Sequence, residues 1–199
     1  TDFVGNKSTI EKEIHLDKVD PIVYVSTPGE ILVEGRVAYI RKPLVLNVSA
    51  KDLESGLKEV VVTGPDGEES IKDSYTIDKS GEYSISVVDK VGHEVEKSLK
   101  DILGVDVDAI VFDADLPVIN RVSGFEPDLV EDDKNWYSSY PELLYDVKES
   151  NAKSVTLTVD GEETTMSNIG LIPITYEKTN GKHRVDIVVV DKAGNISTD

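Results

Sequence analysis

The chain has 199 residues, a formal net charge of -18 and no cysteine. That acidic balance argues against nucleic-acid binding through the phosphate backbone, which takes clusters of Lys and Arg, and disfavours docking on anionic membranes. The missing thiols exclude disulfides, zinc–thiolate sites and cysteine nucleophiles, and no apolar run is long enough to read as a transmembrane helix.

The first motif in chain order is DFVGN at Asp2–Asn6, and it returns as DKVGH at Asp89–His93 and as DKAGN at Asp191–Asn195. Such self-similarity marks repeat architectures. Other landmarks repeat in the same phase. DKVDPIVYV (17–25) corresponds to DADLPVINRV (113–122), and LVLNVSAKD (44–52) to LLYDVKES (143–150). GPDGEES (64–70) corresponds to VDGEETT (159–165), and DKSGEYSISVVDKVGH (78–93) to EKTNGKHRVDIVVVDKAGN (177–195). The chain thus reads as two units, 17–103 and 104–199, preceded by a short segment, 1–16.

Each unit is a series of short runs rich in Val, Ile, Thr and Tyr, the composition of half-buried strands. In the first unit the expected strands are Ile22–Ser26, Leu44–Ala50, Glu59–Thr63, Ser74–Ile77, Glu82–Asp89 and Glu94–Lys100. In the second they are Val118–Val122, Leu143–Lys148, Ser154–Val159, Leu171–Tyr176, His183–Asp191 and a stub after Gly194. Alternation in EYSISV puts Tyr83, Ile85 and Val87 on one face. In DIVVVD, Val185, Ile187 and Val189 take the core face, leaving Val188 and Val190 outward. The pairs Asp66–Gly67 and Asp160–Gly161 signal tight turns, and the Gly of DKVGH and DKAGN suits a left-handed hairpin position. Regular short strands with these turns give an all-β class: two tandem immunoglobulin-like β-sandwiches.

Residues 1–16 then read as the closing-strand remnant of an upstream repeat: a hairpin turn followed by its last strand, KSTIEKEIHL (7–16). After Asn195 only Ile196–Asp199 follow, so the last strand of the second unit reads as truncated and the chain as a fragment of a longer array. The spare strand is expected either to pack on its own first unit or to exchange between molecules by adding to an open sheet edge.

The sequence resembles the bacterial immunoglobulin-like repeats strung along surface and secreted proteins. KDLESGLKEVVV (51–62) and GEYSISVVDKVGH (81–93) carry the likeness in the first unit. NWYSSYPELLYDV (135–147) and VDIVVVDKAGN (185–195) carry it in the second, which departs at Asn151 and Ala152. DKSGEY also resembles the tyrosine corner of such folds, with Tyr83 in the corner and His183 at the matching position of the second unit. The resemblance implies spacers, stalks, adhesin segments and accessory modules of polysaccharide or cell-wall enzymes.

No catalytic constellation is recognisable. His15, His93 and His183 fall at unrelated repeat phases, and no G-x-S-x-G elbow occurs. Calcium, which takes six to eight oxygens, is the cation such an acidic chain would suit. The candidate ligands lie where units meet: Asp17 and Asp20 with Asp52, Glu54 and Asp89, and Asp113 and Asp115 with Glu149 and Asp191. A solvated acidic linker is the alternative. Trp136, Tyr137 and Tyr140 could stack on a sugar ring, or cover the end of the core. The expected role is a non-catalytic extracellular spacer or adhesion segment at the bacterial cell surface, with DILGVDVDAIVFDAD (101–115) as its joint. Its partners would be neighbouring repeats, and beyond them a polysaccharide or a host surface protein.

Overall fold

In the computed structural model, which describes residues 9–199, the chain is almost entirely β. The first unit contains β1 (Ile22–Ser26), β2 (Leu32–Glu34), β3 (Val37–Ile40), β4 (Leu44–Lys51), β5 (Leu57–Gly64) and β6 (Gly67–Ser70). It continues through β7 (Ser74–Ile77), β8 (Ser84–Asp89), β9 (Glu94–Ser98), α1 (Leu99–Leu103) and β10 (Ala109–Phe112). Sheet β1-β4-β7 faces sheet β6-β5-β8-β9. Period-two alternation drives the packing: Leu44, Leu46 and Val48 of β4 point inward, and Ile85 and Val87 of β8 meet them in one core.

The second unit repeats this order. It is built from β11 (Val118–Ser123), β12 (Leu129–Glu131), β13 (Lys134–Trp136), β14 (Leu144–Lys148) and β15 (Ala152–Val159). β16 (Glu162–Met166), β17 (Gly170–Pro173), β18 (Val185–Asp191) and β19 (Ile196–Thr198) complete it. Sheet β11-β14-β17 faces β16-β15-β18-β19 around a core of Tyr145, Val147, Val155, Leu157, Ile172, Ile174, Ile187 and Val189. Two sheets of three and four strands with one connectivity, twice, are tandem immunoglobulin-like sandwiches. Val188 and Val190, read above as outward, are half-buried between Thr156 and Thr198 and between Ser154 and Ile196 on the neighbouring strands.

Both units insert a hairpin between their first two long strands, β2–β3 in one and β12–β13 in the other. The sequence reading had no strands there. The signal is nonetheless in the letters: LVEGRVAYI (32–40) matches LVEDDKNWY (129–137). The two hairpins share one register, Leu32 opposite Tyr39 and Leu129 opposite Trp136. Asp132 and Asp133 turn the second with φ of 52° and 58°, left-handed values that Asp tolerates better than most side chains.

Two expectations are corrected. The joint read at 101–115 is mostly first-unit structure: α1 is too short to show a helical period, is capped by Ser98 and Asp101, and ends at left-handed Gly104. β10 then runs parallel to β3 and carries Ile110 into the first core along with Val107, so that core extends past the boundary at 103/104 and takes in Phe112. Burial of apolar residues, not the spacing of the repeats, sets where the unit ends. Second, residues 9–16 of the expected closing strand 7–16 form no strand and are exposed; residues 1–8 lie outside the described residues. The stub after Gly194 is a short paired strand: β19, of three residues against five in β9, joins β18, and Asp199 exchanges both backbone bonds with Ile187 at 2.8 and 2.9 Å.

Candidate functional site

At the end of β8 and of β18 the inward-pointing residue is an aspartate rather than an aliphatic side chain. Asp89 and Asp191 are both fully buried. Each begins the repeated hairpin motif, and each carboxylate folds that hairpin. Asp89 Oδ1 accepts from the backbone N–H groups of Val91, Gly92 and His93 at 2.6–2.9 Å. Asp191 Oδ1 accepts from Asn195 N at 2.8 Å. Gly92 and Gly194 supply the left-handed corner, with φ of 100° and 86°.

The fifth residue of the motif distinguishes the units. His93 places Nδ1 2.7 Å from Asp89 Oδ2. Asn195 donates its amide to Asp191 Oδ2 at 2.7 Å and to the main-chain carbonyl of Asp113 at 2.9 Å. Asp113 is where the chain leaves the first unit. Its own carboxylate accepts from the Asn151 amide at 2.6 Å, so the departing chain is held from two sides by the second sandwich. On the first unit, Arg41 donates to the Gly194 carbonyl at 3.2 Å, and Lys192 pairs with Glu34 at 3.2 Å over the Tyr39 ring. The joint is therefore a built contact of hydrogen bonds, an ion pair and a stacked cation, all converging on the DKAGN hairpin.

The sequence-derived calcium ligands are distributed as follows. Asp113, Glu149 and Asp191 offer carboxylate oxygens within 4.8 Å of one another. Asp17 and Asp89 meet similarly, together with His93, which the sequence reading left without a role. Asp20, Asp52, Glu54 and Asp115 lie outside both groups. Asp52 instead caps its own loop, accepting from Glu54 N and Gly56 N at 3.1 and 2.6 Å. The two groups differ in chemistry. The Asp113 group has oxygen donors only, as calcium prefers, whereas the Asp17 group contains an imidazole already bonded to Asp89. The hydrogen bond to Asp89, with the charges of Asp89, Asp17 and Asp20, raises the His93 pKa. The Ser55 backbone N–H bonds Asp17 at 2.9 Å, and the Ser55 and Val19 contacts hold that carboxyl below its ordinary range.

The aromatic residues all belong to the β12–β13 hairpin or its exit. Trp136 is 53 % exposed beside Leu129 and Val130, which are 54 and 62 % exposed. Tyr137 and Tyr140 are tied by their hydroxyls, to the Phe125 carbonyl at 3.2 Å and to Asn180 at 3.3 Å. In the first unit the equivalent Tyr39 is 8 % exposed, because β10 and Lys192 cover its hairpin.

The two corners are built by different side chains. The Tyr83 hydroxyl donates to the Lys79 carbonyl, four residues back, at 2.8 Å. His183 does the same job with Nε2, 2.9 Å from the Thr179 carbonyl, also four residues back. With His183 in place of Tyr, the second corner keeps the same bond.

No family model matches the chain, and no curated protein matches it in sequence. Among the described residues no helix is long and apolar enough to cross a membrane. In shape, the chain is similar to a solved structure of the fibronectin(III)-like modules of Clostridium thermocellum CbhA, over 88 % of this chain and 90 % of that one, at 12 % identity and a TM-score of 0.36.

Proposed function

We propose that the chain is a non-catalytic extracellular spacer or adhesion segment of a bacterial surface protein built from immunoglobulin-like repeats. The observation that carries this reading is the joint. Asp113, at the exit of one sandwich, is gripped by Asn151 and Asn195 of the next, while Arg41 and Lys192 brace the same hairpin against the first. Residues spent on holding two sandwiches in register suit a load-bearing or distance-setting part. Calcium at Asp113, Glu149 and Asp191 would draw the same elements together.

Small-angle scattering with sedimentation, in calcium and in chelator, tests this. A two-unit particle whose longest dimension is unchanged between dilute samples, and which lengthens or broadens on Asn195→Ala substitution, supports the spacer reading. A wild-type particle that already scatters as two independently reorienting bodies overturns it. A response to chelator separates a calcium-braced joint from one held by hydrogen bonds alone.

A second reading rests on the exposed Trp136, Leu129 and Val130. It is an accessory module that binds a polysaccharide or host protein, or the non-catalytic part of a secreted polysaccharide-active or cell-wall enzyme. Retardation in polysaccharide-containing native gels that is lost in Trp136→Ala would favour it.

A further inference from the structure

The first unit's hairpin is finished by a strand from further along the chain, and the second unit's hairpin is not. In the first unit, β10 lies parallel to β3 with Ala109 beside Val37, Ile110 beside Ala38, Val111 beside Tyr39 and Phe112 beside Ile40. Ile110 also exchanges both backbone bonds with Gly81 on the other side, at 2.9 and 2.8 Å. In the second unit β13 is exposed throughout, and Gly181, the counterpart of Gly81, is exposed as well. Among the described residues β13 pairs with β12 alone, and no strand lies along its other edge.

A strand of the right kind is present at the other end of the molecule. Anchored on Asp17 and Pro21, which match Asp113 and Pro117, residues Glu13–Leu16 match Ala109–Phe112. Ile14 stands for the buried Ile110 and Leu16 for Phe112, yet Ile14 and Leu16 are 72 and 74 % exposed.

The charges match too. In the first unit Arg36 binds Asp108 through both its Nε and a terminal nitrogen. At these two positions the second hairpin has Asp133 and the N-terminal segment has Lys12, the same pair with its signs reversed. One step on, Val37 beside Ala109 becomes Lys134 beside Glu13. Beyond the strand, Glu34 and Tyr39 receive Lys192 of the following sandwich. Their counterparts Glu131 and Trp136 are exposed, and so is Lys90, the counterpart of Lys192.

We infer that two copies of this chain join head to tail: residues Lys12–Leu16 of one add in parallel to β13 of the other, and Lys90 docks over Trp136 and Glu131. The contact rebuilds, between molecules, the joint that the chain already makes within itself. It is heterologous, so it can repeat from copy to copy, giving an open filament or, where the rotation closes, a ring. Backbone pairing supplies the attraction, and the reversed pair Lys12–Asp133 together with the new pair Glu13–Lys134 selects the register.

Sedimentation of the full chain over a concentration series, at low salt, is the first test. Mass should rise with concentration. Lys12→Glu should weaken association roughly fivefold, and adding Asp133→Lys in the same chain should restore it, the scale expected for one exposed charge pair. Register is tested in a chain that has no native thiol. Mixing Ile14→Cys with Asn135→Cys should yield a disulfide-linked heterodimer in excess of either homodimer, and Ile10→Cys with Asn135→Cys should not. A monomer at every concentration, or equal cross-linking of the two pairs, overturns the inference. Such a monomer would leave the spacer reading standing if it still scattered as one stiff two-unit particle.

Discussion

Asn195 and Asp113 are 82 positions apart and meet at 2.9 Å, the amide of one on the main-chain carbonyl of the other. This bond ties the last hairpin of the second sandwich to the chain as it leaves the first. The same amide satisfies Asp191, which is fully buried. Asn195→Ala removes both contacts and leaves the Asp191 carboxylate without its side-chain partner. A loss of about 1–3 kcal/mol is expected, from the cost of an under-satisfied buried acceptor, and the urea midpoint of the second unit reads it.

His183 is held toward its imidazolium form. Its Nε2 lies 2.9 Å from the Thr179 carbonyl and its Nδ1 2.7 Å from the Asp160 carboxylate, two groups that only accept. Both nitrogens therefore carry protons. The hydrogen bond to Asp160 and then the Thr179 carbonyl raise the His183 pKa, and the His183 bond lowers that of Asp160. The stability that His183 adds is fully present below its ordinary value of about 6.5 and is lost as pH rises through the raised one. Asp160 adds stability above its ordinary range, lost as pH falls through its lowered value. Nitrogen chemical shifts should show two protonated ring nitrogens up to a midpoint above 6.5. His183→Tyr should keep the corner bond and remove the alkaline loss.

The matching corner in the first unit is neutral. Burial, with the charges around it, pushes the Tyr83 hydroxyl up to about 12, so it stays protonated and donates to Lys79. Tyr83→Phe should cost about 1 kcal/mol, the typical net worth of one hydrogen bond, with no pH dependence below 10. Gly64 lies under that ring, and a Cβ there would come 2.7 Å from it. Gly64→Ala should therefore destabilise the first unit by forcing the Tyr83 ring aside, by about 1–3 kcal/mol in equilibrium unfolding.

Asp199 closes the second core from its edge. Its carboxylate takes two bonds from Arg121, at 2.7 and 2.6 Å, and one from the hydroxyl of buried Tyr145 at 2.7 Å. Asp199→Ala would leave that hydroxyl without its partner. A loss of about 1–2 kcal/mol is expected, while Asp199→Asn, which can still accept, should lose less. Thermal unfolding of the three chains compares them.

The long strands were legible because their alternation is strict: Leu44, Leu46 and Val48 announce β4, and Ile187 and Val189 announce β18. The sandwich class followed from regular short strands with turn signals between them. The inserted hairpins were not read, because strands such as Leu32–Glu34 and Leu129–Glu131 have three residues each and too few positions to show a period. β10 reads as linker, since AIVF sits among aspartates and its burial depends on a parallel neighbour distant in sequence. At the junction, Asp113, Glu149 and Asp191 come together, while Asp115 lies apart from them. Asp52 and Glu54 looked equivalent to Asp17 and Asp89 in sequence, and only the loop geometry separates a cap from a cluster. Asn195 and Asn151, which carry the joint, were passed over because uncharged amides stand out from no pattern.

The most direct measurement of the joint is the alignment of the two sandwiches by residual dipolar couplings from backbone amides, with Asn195→Ala as the comparison. A joint held by Asp113, Asn151 and Asn195 predicts one alignment tensor, of one magnitude, for both units of the wild-type chain, and two unequal tensors in the variant. Two unequal tensors in the wild type would contradict it: the sandwiches would then move independently, and the bonds around Asp113 would not set the spacing between them.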